Sequence, residues 1–434
     1  MEGLDPVVPL PRPRATARAR SWIRDRLTTT PGKLVLLSLL LVAVAVGFAA
    51  IAGLAERSRA HAAQAVATQT EPLLLQSVFL YTALSDANAT ATATFLSGGL
   101  EPPARRHHYL GDLQIASDSL ATLTRELGSS ATTGSAVRTI SEQLPVYSGL
   151  VEAARANNRQ GFPVGAAYLR QASGLLTGTI LPQANRIFAT EAGRLRDNYR
   201  TGTATPAIVV FAIAAVLALG LLALAQRHVA RVSRRIFNLP MLIGAAVLAG
   251  LSIWALTGLT SEQNALARAQ RNSDAVEVLS ASRVLLSRAQ TDQSLILANR
   301  GSDQTHPPDF AAVMRALAPT GGLLGEVPKV AEPTAPAQLD AEFQAYQTEA
   351  ARISDLAKNG QIGKATGLGS SSPQAAGLDA DLSAQSTVAQ QRFASAADDA
   401  TTSLSGLSIA LPVLALVAGV LAIFGVRQRL GEYR

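Results

Sequence analysis

Polar and apolar positions divide the chain into four uncharged apolar runs and two long stretches with a helical period. The runs are 34–54, 206–225, 240–258 and 409–426. Each has roughly 20 residues, enough at about 1.5 Å per residue to cross a hydrocarbon core of about 30 Å. Pro206, Pro240 and Pro412 lie in the first turn of their runs, where a missing N–H costs little, so they read as helix starts. The basic tail 1–33 and the first run are both longer than the parts of a usual secretory signal, so the first run reads as a span.

Segments 55–205 and 259–408 lie between the runs and lack the period-two alternation of strands. Turn residues divide each into four. In the first, "SGGLEPP" (97–103), "GSSATTGS" (128–135) and "NNRQGFP" (157–163) are the breaks. In the second they are "NRGSDQTHPP" (299–308), "APTGGLLGEVPKVAEPTAP" (318–336) and "KNGQIGKATGLGSSSP" (358–373). Leu74, Tyr81, Asn88 and Phe95 recur every seven residues, the spacing of a bundle seam. The expected fold is an all-α membrane protein: four transmembrane helices and two extracytoplasmic antiparallel four-helix bundles standing side by side, a duplicated span-bundle-span unit. Internal similarity agrees with duplication at two places. "ALSDANATATATFLSGG" sits opposite "LSRAQTDQSLILANRGS", and "VYSGLVEAARANNRQG" opposite "AYQTEAARISDLAKNGQ", with a gap between the pairs.

Polar residues interrupt the seams. Asn88 lies on the first, and Asp292 and Asn299 on the equivalent line Val278, Leu285, Asp292, Asn299. A buried polar group needs a partner. Two readings stay open: a structural role, in which the residue sets register or pairs with Arg283 or Arg288, and a site for a ligand or partner. Asp86 falls off the seam and is expected in solvent.

Charge orients the chain. The tail 1–33, the loop 226–239 and the end 427–434 hold 7, 4 and 3 basic residues, against 13 and 11 in the much longer segments between the runs. The positive-inside rule then places the protein in the plasma membrane as a multi-pass protein with both termini cytoplasmic and both large segments outside. The candidate cytoplasmic output surfaces are Arg227, Arg231, Arg234 and Arg235 in the loop and Arg427, Arg429 and Arg434 at the end. The tail "PRPRATARARSWIRDRL", with Trp22, reads as a segment drawn to anionic membrane lipids and not to nucleic acid.

Composition narrows the chemistry. The chain has no Cys, which removes disulfides, thiolate metal sites and a Cys nucleophile. No phosphate-binding, nucleophile-elbow or zinc-protease motif occurs, and the spans carry no ionisable residue of the kind that lines transport paths. His108 and Asp112 are spaced as a weak metal pair but read more simply as a solvated helix face. No catalytic, cofactor or metal site is expected, and an enzyme or pump is disfavoured.

On "ALSDANATATATFLSGGLEP", "ARANNRQGFPVGAAYLRQAS", "DQSLILANRG" and "RQRLGEYR", the chain resembles the actinobacterial GlnX-type four-pass membrane proteins, and in architecture the helical-bundle sensor modules of chemoreceptors. The resemblance implies a sensor working with an extracytoplasmic glutamate/aspartate-binding lipoprotein and a cytoplasmic PknG-type Ser/Thr kinase. The expected function is therefore a non-enzymatic transmembrane signal relay whose output passes to a separate protein. A structural or envelope-assembly role and an accessory subunit of an amino-acid transporter are the alternatives, and a homodimer stays open. One departure from the resemblance is the third helix of the second bundle, diluted by Gly and Pro over 318–336.

Overall fold

The computed structural model describes residues 64–97, 101–202, 205–233, 239–299, 306–330 and 335–402, with a few isolated residues in 40–50 and 417–424. All regular structure among them is helical. Apart from those isolated residues the apolar runs 34–54 and 409–426 lie outside the described residues, as do Arg234, Arg235, Arg427, Arg429, Arg434 and Trp22.

The chain divides into two compact units. One comprises 1–60, 204–262 and 403–434, the other 61–203 and 263–402. In the first unit, the described residues belong to α6 (Thr205–Ser233) and to the start of α7 (Leu239–Ala298). Ala215, Ala218, Leu222 and Ala225 are buried, whereas Val209, Ile213, Val216, Leu217, Leu224, Ile253 and Trp254 are exposed. Leu248, Leu251, Ala255 and Leu259 of α7 are buried as well, and so many large apolar side chains on the outside reverse the soluble pattern. Among the described residues one stretch, Leu242–Ala298, is long and apolar enough to cross a membrane, and a shorter apolar helix covers Ala212–Arg227.

The second unit gathers both long segments. Its first segment folds as α1 (Glu71–Leu96), α2 (Pro103–Leu127), α3 (Gly134–Arg159), and α4 (Val164–Leu175) joined through a π-turn (Leu176–Ile180) to α5 (Leu181–Gly202). A second π-turn, Val66–Thr70, leads into α1. The second segment comprises the latter part of α7, α8 (His306–Leu317), a 3₁₀ turn at Leu323–Glu326 running into the single turn α9 (Val327–Val330), α10 (Ala335–Lys358), α11 (Ile362–Ser371) and α12 (Pro373–Thr402). The stretch 358–373, read from sequence as a break, is therefore largely helix. Gly369 accounts for one of its small residues: a Cβ there would meet Leu297 Cδ1 at 2.7 Å, so its absence lets α11 lie close to α7. The Gly/Pro-rich stretch 318–336 costs the bundle helix length, but Leu324 and Val327 still fill the core from it.

Two corresponding points recur in the segments. Gly161 and Gly360 have φ of 73° and 74° just past α3 and α10. In each case the next residue donates back across the cap, Phe162 N–H to Asn157 O and Gln361 N–H to Leu356 O, both at 2.9 Å. Only glycine takes this left-handed position without cost. Within the same helices Tyr147 and Tyr346 are the fully buried tyrosines.

The bundles expected to stand side by side instead share a core. One cluster, around Leu84, Leu123, Ile140 and Tyr147, belongs to the first segment alone. The larger cluster mixes Leu74, Val78, Phe188, Leu195 and Tyr199 of the first segment with Val276, Leu286, Phe343, Tyr346, Leu378 and Phe393 of the second. α1 explains the fusion. Its 26 residues carry only two charges, Glu71 and Asp86, and a helix with no charged face is covered on all sides.

Candidate functional site

The polar contacts between the segments converge on α1 and α7. Asn88 is 2% exposed and is the hub. Its Nδ2 donates to Ser173 Oγ of α4 at 3.1 Å and to Thr291 Oγ1 of α7 at 3.4 Å. Its Oδ1 accepts from the Tyr147 hydroxyl of α3 at 3.5 Å. One amide thus ties together four helices from both segments, and burial makes each bond worth keeping, because an unmatched amide costs more than the bond gains.

Asp86, two residues earlier, is not in solvent as expected. Its side chain is 14% exposed, and Arg283 Nη2 donates to its Oδ2 at 2.8 Å. Ser287 Oγ donates to its Oδ1 at 2.5 Å. Arg283 also donates from Nε to Asp379 Oδ1 of α12 at 2.9 Å. One guanidinium therefore clamps α1 to α7 and α12 through two carboxylates, the forked geometry that arginine suits. Burial pushes the Asp86 carboxyl above the usual range, against the downward pull of Arg283.

Asp112 of α2 closes the cluster. It too is buried, and its carboxyl is pushed up to about 8, chiefly by burial and then by Asp86. His108 Nε2 lies 3.7 Å from its Oδ2, with the imidazole in solvent. The helix face read from sequence as solvated is wet at His108 and dry at Asp112. Among the described residues no group of three or more His, Cys, Asp or Glu side chains could hold a metal ion.

Asn299 and Asp292 also lie at this junction. Asn299 Oδ1 accepts from Arg170 Nη1 of α4 at 2.6 Å, a further link between the segments. Asp292 is buried near Tyr346, whose hydroxyl it helps push to a higher pKa behind burial and Glu349. Of its expected partners, Arg283 is turned to Asp86 and Asp379, and Arg288 lines a groove. Further along the helices, Arg196 Nη2 of α5 meets Glu277 Oε2 of α7 at 2.5 Å. Buried Glu71 has its carboxyl pushed up to about 7 by burial and then by Asp398 of α12. Of the basic output candidates, Arg227 and Arg231 are described, exposed on α6.

The seam pattern found Asn88 but missed the clamp of Asp86, Arg283 and Asp379. A signal was present: no Lys, Arg, Asp or Glu other than Asp86 lies between Glu71 and Glu101, so its helix had to be surrounded. Chemically the junction is a set of interlocked hydrogen bonds and ion pairs that ties the two segments together.

Among curated proteins and solved structures, none matches the chain. A family model does. Residues 62–200, which hold α1 to α5 and half of the junction, match the model described as an actinobacterial sensor domain, and this supports reading the chain as a sensor protein of actinobacteria.

Proposed function

We propose that the chain is a non-enzymatic transmembrane signal relay in the plasma membrane. Its outside body is the fused helical unit, and binding there resets the α1–α7 junction. The observation that carries this reading is α7, which runs without a break from Leu239 to Ala298 and so holds both the apolar run and the residues of the junction. A shift of an ångström or two in a helix packed this way is the ordinary currency of such switches. The sensor-domain match over 62–200 supports the sensing half of the reading. The outward large apolar residues of α6 and α7 support the membrane half.

The finer reading follows the GlnX-type resemblance. An extracytoplasmic glutamate/aspartate-binding lipoprotein reports amino-acid supply to the bundles, and a cytoplasmic PknG-type Ser/Thr kinase receives the output. The basic loop of Arg227, Arg231, Arg234 and Arg235, with Arg427, Arg429 and Arg434, offers the cytoplasmic contact. Both halves are open to test. Reporter fusions after Arg235 and Arg434 are expected to read cytoplasm, and fusions at Ser129 and Thr320 the outside. Cells lacking the chain are expected to lose the change in phosphorylation of the kinase's targets on feeding glutamate. An unchanged response, or a cytoplasmic signal at Thr320, refutes the relay as described.

A further inference from the structure

A groove runs between α1, α5 and α7 beside the junction. Arg288 stands exposed at its mouth and makes no ion pair with any described residue. The mouth has a volume of ≈ 250 Å³ and is lined by Tyr81, Ser85, Asn88, Asn185, Arg288 and Thr291 among others. Thr177, also in its wall, belongs to the π-turn Leu176–Ile180. Such turns recur at binding sites because they widen a helix locally.

The groove does not end there. A second cavity of ≈ 140 Å³ shares Tyr81, Asn185, Val284 and Leu285 with the first and extends to Val78, Phe188 and Leu323. Its wall holds Ser280, which is 3% exposed and whose hydroxyl has no hydrogen-bond partner among the described residues. The hydroxyl itself is shut off from the open space, so what a guest meets in this cavity is chiefly apolar.

The two ends differ in character. A guanidinium and the Asn185 amide mark the first cavity, chiefly apolar side chains mark the second, and no carboxylate lines either. A guest with a net negative charge and an apolar tail meets every one of these features, whereas a zwitterion would bring an ammonium that finds no counter-charge. We propose that this groove is a binding site for a small organic monocarboxylate with a short apolar tail, its carboxylate on Arg288 and Asn185 and its tail toward Val78 and Phe188. Because the walls come from both segments, occupancy favours one spacing of α1 and α7. That consequence rests on the relay reading; the binding itself does not.

The test uses the full chain purified in detergent and calorimetric titration with 3-methylbutanoate, with empty micelles subtracted. The uncharged 3-methylbutan-1-ol and glutamate serve as comparison probes. Saturable binding of 3-methylbutanoate is expected, weakened by about tenfold or more in Arg288→Gln, as loss of a charge-assisted contact implies. The alcohol and glutamate are expected to bind more weakly than 3-methylbutanoate to the wild type. Arg288→Lys, which keeps the charge but loses the guanidinium fork, provides a second variant and is expected to retain more affinity than Arg288→Gln at an unchanged melting temperature. Absence of saturable binding, equal affinity in Arg288→Gln, or equal affinity for the alcohol or for glutamate overturns the proposal. Saturable, Arg288-dependent binding in a chain whose loss leaves kinase-target phosphorylation unchanged upholds the site and removes only the relay.

Discussion

Replacing Arg283 by Gln removes the shared cation of the clamp. The guanidinium is 18% exposed, Asp86 14% and Asp379 35%, so the pair to Asp86 is well shielded and the pair to Asp379 only partly. Breaking one partner out of a buried ion pair costs about 3–5 kcal/mol, and solvent at Asp379 lowers the figure expected here to about 2–3 kcal/mol. The loss depends on pH. Burial pushes the Asp86 carboxyl up to about 6 even with Arg283 in place, and without it only the weaker downward pulls of Ser287 and His108 remain against burial and Asp379. At pH 5 Asp86 is therefore mostly protonated in both proteins, and the clamp keeps only the partly exposed pair to Asp379. At pH 8 the native protein keeps a paired carboxylate, while the variant must bury an unpaired one or take up a proton, at up to about 1.4 kcal/mol per pH unit. Thermal unfolding of the purified chain followed by circular dichroism is expected to show a fall of about 5–10 °C at pH 8 and a much smaller one at pH 5. Adding Asp86→Asn to the variant is expected to restore part of the loss at pH 8, since the two sites are in contact. No fall at pH 8 would show that Arg283 does not hold the helices together, and an equal fall at both pH values would show that it does so without the Asp86 charge.

Asp112→Asn probes the same cluster from the other side. The folded-state pKa of about 8 lies above the ordinary aspartate value, so the folded chain binds the extra proton and this site's contribution to stability falls as pH rises from about 4 to 8. The Asn variant is expected to match the wild type near pH 4 and to melt higher at pH 8; a lower melting point at pH 8 would mean that the charged carboxylate is stabilising. Asn88→Ala leaves the hydroxyls of Tyr147, Ser173 and Thr291 without their shared partner and is expected to cost about 2–3 kcal/mol, measured by the same melts. Asp292→Ala is expected to lower stability by about 1–3 kcal/mol and to reduce cellular abundance; intact folding with a lost amino-acid response would place Asp292 in a docking site instead.

The helix breaks were legible where backbone chemistry dictates them. Gly161 and Gly360 hold φ values open chiefly to glycine, and the turn residues around them announce the caps. The seam through Leu74 and Asn88 was legible because a seven-residue period is local. Asp86 was not, because its neighbours Arg283 and Ser287 lie about 200 residues further along the chain. Nothing in the periodicity of α1 says whether the face beside the seam meets water or a second bundle; only its lack of charge hints at the answer. The helix Ile362–Ser371 was hidden for the opposite reason. Its glycines read as a break, yet one of them, Gly369, serves a close approach to Leu297. The carboxylate groove, formed by residues from three distant helices, left no local trace.

The account stands or falls on the two long segments forming one body through α1 and α7. The chain has no Cys, so paired substitutions report cleanly. Asn88→Cys and Thr291→Cys replace side chains that touch across the junction at 3.4 Å. With a protease site inserted after Arg235 and the membranes treated with a mild oxidant, the cut chain is expected to run as a single species on a non-reducing gel and to separate into its two halves when reduced. Halves that separate without reductant, or that join only to other copies of the chain, would contradict it.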